Sequence, residues 1–558
     1  VKNTPESTCA QSLWWRRLGA GLALAMPAGL QAAESAGPKV RGFGIPDWLI
    51  LVSYAAALIG IGMFYSRRQT SSEEYFVGSR RVSPFLVGIS LYATLFSTLS
   101  YLGLPGELIQ NGPVLVCVTL AAYPFVYFIV GYGIIPLIVR LPVTSAYELL
   151  ETRLGRPIRL LGSGIFVMTR LVWMAVMLFA TSTVLVVVMG WDPRWVTPIS
   201  ILTGAITTVY TLTGGIKAVL VTDVLQFFVL LAGALFTLVY ITYWMGGVGA
   251  WWPTEWTAHW APQPVFSLDP GVRVTVFGTF FGSVIWWICT SASDQMAIQR
   301  YLSTRDKYAA RRAFLHSCAG GAAVTVILIL VGLALLGFHR DNPALFPSTV
   351  SLSAKGDAVF PYFVSHFLPS GLPGLVMAGL LAAAMSSLSS GINSAITVIS
   401  KDFIEIFVPN DRRTEKDRVG TARILGGIIG LVAIGGSQLA SVIPGNLIEV
   451  AGKSINLLVC PLFGLFFLAL FVKFATPFGA WMGATYSAAA AVLVGYWELI
   501  TGRALVSFQW IAPIALVTTI VCSCLFSLLP TRGKPPAVLA IYAGVVLLPL
   551  VIFVAFVR

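Results

Sequence analysis

From residue 46 onward the chain alternates long apolar runs with short polar segments. Fourteen of these runs can cross a bilayer: 46–66, 83–105, 114–139, 158–189, 195–212, 216–245, 272–293, 312–338, 371–400, 420–443, 446–471, 476–497, 508–529 and 536–556. Each is close to the about 20 residues that a spanning helix needs. The pattern therefore predicts an all-α polytopic membrane protein with about 14 transmembrane helices. Composition supports this class and narrows it. Of 558 residues, 57% are hydrophobic and only 11% charged, against roughly 25% charged in a soluble domain. So few charges cannot cover a soluble surface, which excludes soluble enzymes and disordered scaffolds.

The net charge of +13 would suggest nucleic acid in a soluble chain, but here the basic residues lie in short loops between spans, and no nucleic-acid partner is expected. Residues 1–33 read as a signal peptide, with Arg16 and Arg17 ahead of an apolar run and small residues at Ala32 and Ala33. With the mature N-terminus outside, 23 Lys and Arg fall on inner segments and 8 on outer ones. That asymmetry predicts a multi-pass protein of the cell membrane with both mature termini outside. The 246–270 loop lacks Lys and Arg and carries Trp251, Trp252, Trp256 and Trp260, as expected of an outer interfacial segment. The seven cysteines and four histidines show no metal-ligand spacing.

Polar groups inside the spans must face protein, ion or water. The run from Ala93 to Ser100 mixes small and hydroxyl residues, with Gly103, Pro105 and Gly106 behind it. That composition suits a helix broken at the midplane, with free carbonyls for a cation, or close packing through small residues. A second span places Ala383, Ser386, Ser387, Ser389, Ser390, Asn393, Ser394 and Thr397 on one face. Such hard oxygen ligands suit an alkali cation. Asp223 is a carboxylate in an apolar helix, there either for a basic partner or for a cation. Arg170 and Lys453 are intramembrane cations, which an anionic solute or an internal ion pair would compensate.

Three segments, TGGIKAVLVTDVLQ, DQMAIQRYLSTRDKYAARRA and GLLAAAMSSLSSGINSAITVISKDF, make the chain resemble the sodium/solute symporter family, which includes sodium–glucose cotransporters and bacterial sialic acid transporters. The resemblance runs from about residue 46 to 530. It implies a five-plus-five inverted-repeat core over 83–245 and 272–471. The first and sixth core helices would be broken, the latter around Cys289–Ser293. An extra helix over 46–66 precedes the core and further helices over 476–556 follow it. It implies a sodium site at Ala93, Phe96, Ala383, Ser386 and Ser387, and a second at Asp223, Ser386, Ser389 and Ser390. For solute it implies Arg170, with Ser97 and Ser100 matching first-helix hydroxyls; Thr290 and the intramembrane Lys453 are further candidates for the solute. The polar residues of sugar-transporting members are replaced by Leu95, Leu99–Ser100 and Gly452, whereas Arg170 resembles the arginine that holds the carboxylate in sialic acid transporters.

The function expected from this reading is sodium-coupled import of a small organic solute by alternating access, with Na+ as coupling ion and an organic anion such as an acidic sugar as solute. A sodium-coupled neutral sugar transporter is the alternative. A channel lacks a filter-like carbonyl ring. A membrane enzyme lacks a paired-carboxylate, histidine-dyad or phosphate-loop constellation. The oligomeric state is not legible.

Overall fold

The computed structural model describes residues 43–66, 72–140, 143–347, 350–408, 414–439, 447–502, 506–531 and 533–557. The signal peptide expected over 1–33 lies outside them. All regular structure among the described residues is helical. A lipid-spanning backbone must satisfy its own hydrogen bonds, and helices do so within one segment.

Ten helices are long and apolar enough to cross a membrane, and a further pair, Pro84–Leu95 and Thr98–Asn111, would make an eleventh span bent by 66°. The predicted segments 195–212 and 216–245 fall in Val196–Trp244, two helical stretches joined at a kink where Gly215 takes a non-helical conformation and together called the kinked helix. The predicted spans 446–471 and 536–556 are the helices Leu447–Phe471 and Pro536–Val557.

The helices are interrupted at two places, one within the run expected to break and one beyond Cys289–Ser293, which stays helical. In the first, Phe96 and Ser97 leave the helix for extended conformations, and the Ser97 side chain caps the next helix by accepting from Ser100 N at 3.2 Å. The second falls just beyond Cys289–Ser293: Val276–Ser293 stays helical, and Asp294 is the extended residue. Its carboxylate accepts from Met296 N at 2.9 Å and starts the helix Gln295–Leu302. A short polar side chain that competes for backbone amides sets each break.

The serine-bearing helix Leu372–Val398, here called the serine helix, is the central element. It packs against the kinked helix, against Arg156–Met189, against Ile45–Ser66 and against both halves of the first broken helix. Of its most apolar window 89% is buried within the protein, against 22% for Ile45–Tyr65. Its hydroxyls therefore meet protein and not lipid.

The 246–270 loop departs from the interfacial expectation. Trp252 and Trp256 are exposed, but Trp251 and Trp260 are buried. Trp260 Nε1 donates to Ile109 O at 2.9 Å, and His259 Nε2 lies 2.8 Å from the same oxygen. The Trp260 indole and the His259 imidazole thus cap the end of Thr98–Asn111, whose last carbonyls have no helical partner.

Gly215 holds φ 57° and ψ −165°, a region that costs an L-residue about 1–3 kcal/mol. Gly215→Ala is therefore expected to lower the thermal unfolding midpoint in detergent. Gly60→Ala, where an added Cβ meets nothing within 4 Å, is the control and should leave it unchanged. Equal midpoints for the two variants would mean that the kink tolerates a side chain.

Candidate functional site

The helix Pro84–Leu95 ends at the first break, so its last carbonyls lack helical partners and its end carries partial negative charge. Those carbonyls face the serine helix. Ser386 Oγ donates to Ala93 O at 2.8 Å and lies 3.1 Å from Ala383 O. Ser387 Oγ lies 3.0 Å from Thr94 O and 3.1 Å from Phe96 O. The structure thus brings together all five residues of the predicted first sodium site, with the Thr94 carbonyl beside them. Every donor is a neutral, buried, hard oxygen, a set that suits an alkali cation better than a soft metal.

One helical turn away lies a charged centre. Asp223 and Arg300 are both fully buried and form an ion pair at 2.8 Å. Asp223 Oδ2 also accepts from Ser90 at 2.6 Å, Thr94 at 3.2 Å and Ser390 at 3.4 Å. Arg300 donates to Ser390 Oγ at 2.5 Å and to Ser90 Oγ at 2.9 Å. Of the predicted second set, Asp223 and Ser390 are in contact. Ser386 and Ser389 are linked to each other, Ser389 Oγ donating to Ser386 O at 3.1 Å. Asp223 Oδ1 is buried without a hydrogen-bond partner among the described residues.

The partner of Asp223 was missed in the sequence because Arg300, counted there among the loop cations, lies inside Gln295–Leu302. The available signal was the spacing in DQMAIQR: Asp294 and Arg300 follow an apolar span directly, so either can be drawn into the protein.

Asp294 takes the other buried arginine. Arg170, 5% exposed, makes an ion pair and hydrogen bond with Asp294, 3% exposed. This is the internal pair that was open for Arg170 in the sequence. Arg170 Nε, Thr290 Oγ1 and Ser291 Oγ are buried without partners among the described residues. Ser97 Oγ lies 3.3 Å from Ser100 Oγ. Lys453 lies in the helix Leu447–Phe471, but its side chain is outside what is described.

Beside the first break lies a cavity of about 240 Å³, lined by Tyr92, Phe96, Ser100, Thr119, Trp286 and Trp287 among others. Its polar lining is hydroxyls and the Gln509 amide. Among the described side chains, Ser100 is the one predicted solute residue that lines it; Ser97, Arg170 and Thr290 do not.

The sequence profile of the sodium:solute symporter family matches residues 75–486. The chain is 27% identical to the sodium/sialic acid symporter NanT of Aliivibrio fischeri over 82% of this chain and 89% of that one. It is 30% identical to the sodium-dependent multivitamin transporter of Oryctolagus cuniculus over 82% and 71%. It is 27% identical to the sodium-coupled monocarboxylate transporter 1 of Homo sapiens over 82% and 74%. The fold matches the solved structure of a Na+-coupled sialic acid symporter in a substrate-bound outward-open state with a TM-score of 0.74 at 24% identity, covering 87% of this chain and 98% of that one.

Removing one member of a buried pair leaves a charge uncompensated, at a cost of about 3–5 kcal/mol. Asp223→Asn and Arg300→Gln should each reduce the yield of monodisperse protein and its thermal midpoint. Asp223→Asn combined with Arg300→Gln should recover much of both. A double variant no more stable than the sum of the two losses would show that the residues act independently.

Proposed function

The chain belongs to the sodium:solute symporter family, with sodium as coupling ion, and from that premise we propose that it imports a small organic anion by alternating access. The observation that carries the ion half is the meeting of the break at Phe96–Ser97 with Ser386 and Ser387. A sodium ion held by Ala93 O, Phe96 O, Ala383 O, Ser386 Oγ and Ser387 Oγ ties the first broken helix to the serine helix. That tie stabilises one arrangement of the two and with it the adjoining cavity. Low sodium inside the cell then releases the tie and the solute.

The architecture that fits this mechanism is an inverted repeat over 83–245 and 272–471, flanked by 46–66 and 476–556. Two features support it. Each proposed repeat opens with a helix interrupted at an extended polar residue, Ser97 or Asp294. Counting the bent pair as one span, the kinked helix as two, and Leu447–Phe471 and Pro536–Val557 as spans brings the total to the fourteen read from hydropathy. The arginine-rich ends then lie in the cytoplasm and both mature termini outside.

For the solute, buried polar groups without partners at the second break, on Arg170, Thr290 and Ser291, support an anion that exchanges with Asp294 on the Arg170 guanidinium. Ser97 and Ser100 at the first break, and the cation Lys453, are the further groups proposed for it. Two of the relatives are named for carboxylates, sialic acid and monocarboxylates. A monoanion carried with one sodium moves no net charge. A second sodium at Asp223, Ser386, Ser389 and Ser390, reached through the free Asp223 Oδ1, would let each cycle gain about 2.3 kcal/mol per 100 mV. One observation favours a neutral solute instead: no charged side chain among the described residues lines the cavity beside the first break.

Uptake into proteoliposomes should saturate, require a sodium gradient and evoke inward positive current. Ser387→Ala removes one oxygen ligand, worth about 1–2 kcal/mol, and should raise the half-saturating sodium concentration about five- to thirty-fold. An unchanged value removes Ser387 from the ion site.

The anion reading is tested by comparing uptake of sialic acid and short monocarboxylates with uptake of neutral sugars. In Arg170→Gln combined with Asp294→Asn, which leaves no buried charge unpaired, carboxylate uptake should fall while a neutral solute is spared. Undiminished carboxylate uptake in that variant would favour the neutral-solute reading.

A further inference from the structure

A second cavity, of about 580 Å³, lies away from the ion and solute groups, where the starts of Pro84–Leu95 and Lys307–Asp341 come together. We propose that it binds the phosphate headgroup of an anionic membrane lipid. Its lining includes Arg81, Ser83, Arg305, Asp306, Tyr308 and Arg312, three guanidinium groups against one carboxylate. Asp306 is committed elsewhere. It accepts from Tyr308 N and Ala309 N at 2.9 and 2.8 Å and pairs with Arg305 at 3.0 Å. Those amide bonds hold its carboxyl below the usual range, so it stays ionised and neutralises Arg305 alone. For Arg81 and Arg312 the described residues supply no carboxylate within ion-pair distance. Two guanidinium forks facing one cavity match a phosphate, whose oxygens accept paired N–H donors. The two helix starts add little, since Ser83 and Asp306 already cap them.

The surroundings favour a lipid over a free phosphate. Arg311, beside Arg312, lies over the Tyr132 ring at 4.3 Å and the Tyr308 ring at 5.6 Å. Such mixing of basic and aromatic groups marks a bilayer surface. Apolar side chains leave the cavity along its two helices toward the membrane: Phe85, 47% exposed, and Leu315, 45% exposed, one turn beyond Arg312. A free phosphate has no use for that stripe, whereas an acyl chain attached to the bound phosphate lies along it. The positive-inside rule puts the cavity on the cytoplasmic side, the leaflet whose anionic lipids attract basic segments.

The test uses the full chain in phosphatidylcholine nanodiscs doped with phosphatidylglycerol, with retained lipid read by native mass spectrometry. Wild type should retain phosphatidylglycerol in excess inorganic phosphate. Arg81→Gln combined with Arg312→Gln should require about ten-fold more of it or worse. Arg81→Lys combined with Arg312→Lys keeps the charge and should bind in between, since a point charge replaces each fork. Lys473→Gln combined with Lys534→Gln, which alters another basic cavity, should bind as wild type does. Three outcomes overturn the proposal: unchanged retention in the glutamine pair, an equal loss in the Lys473 and Lys534 variant, or full displacement of the lipid by inorganic phosphate. The second would mean general surface attraction, and the third a site for free phosphate.

Discussion

A helix interrupted inside a bilayer leaves carbonyls that lipid cannot satisfy, so the break at Phe96–Ser97 exists only because the serine helix answers it. Ser386 and Ser387 bond the carbonyls of Ala93, Thr94 and Phe96, and Thr98 Oγ1 donates to Leu380 O at 3.0 Å. An unsatisfied backbone group in hydrocarbon costs several kcal/mol, so these side chains are a condition of the fold before they are ligands. The same condition explains why the serine helix sits at the centre. Irregular backbone at membrane depth must be enclosed by protein, and the helix that closes it cannot itself face lipid. The oxygens that satisfy the break are also the oxygens a small hard cation prefers, which joins the stability of this region to its ion chemistry.

The buried charges extend that arrangement. Arg300, on Gln295–Leu302, reaches Ser90 on Pro84–Leu95 as well as Asp223. Arg273, just before Val276–Ser293, holds the buried Glu107 on Thr98–Asn111 with two bonds at 2.5 and 2.8 Å. Each half of the first broken helix is therefore tied by one arginine to the opposite half of the second. Arg170 and Asp294 likewise tie Arg156–Met189 to the second break itself.

How much of this was legible in the sequence follows from the periodicity of each signal. The serine stripe repeats at helical spacing, so its common face could be read directly, and the cluster from Ala93 to Ser100 marked a break because small and hydroxyl residues together are poor lipid-facing material. The position of the second break was read slightly early because the signal there is one residue: Asp294 is helix-capping, while the preceding CTSAS is compatible with a helix and remains in one. Arg300 was misplaced for a related reason. It follows a capping aspartate at the end of an apolar run, where hydropathy cannot distinguish a loop from a short helix folded back into the protein. The burial of Trp251 and Trp260 was likewise beyond composition, because tryptophan suits both an interface and a packed cap.

The charge of Arg300 sets the terms on which a second sodium can enter. Asp223 with Arg300 is a neutral, fully buried pair. A sodium ion brought to Asp223 Oδ1 places two positive charges around one carboxylate, in surroundings where like charges are poorly screened. Either the added charge is offset by an anion nearby, or the guanidinium shifts away from Asp223 as the ion arrives. Ser90 and Ser390 already bond Arg300, and the Met296 carbonyl accepts from it at 2.9 Å. The guanidinium therefore keeps acceptors on three elements if it yields one carboxylate oxygen. The proposed first sodium set would need no such adjustment, since all its donors are neutral. The two proposed sites thus differ in kind: one would add charge to a neutral cage, and the other would exchange an internal cation for an external one.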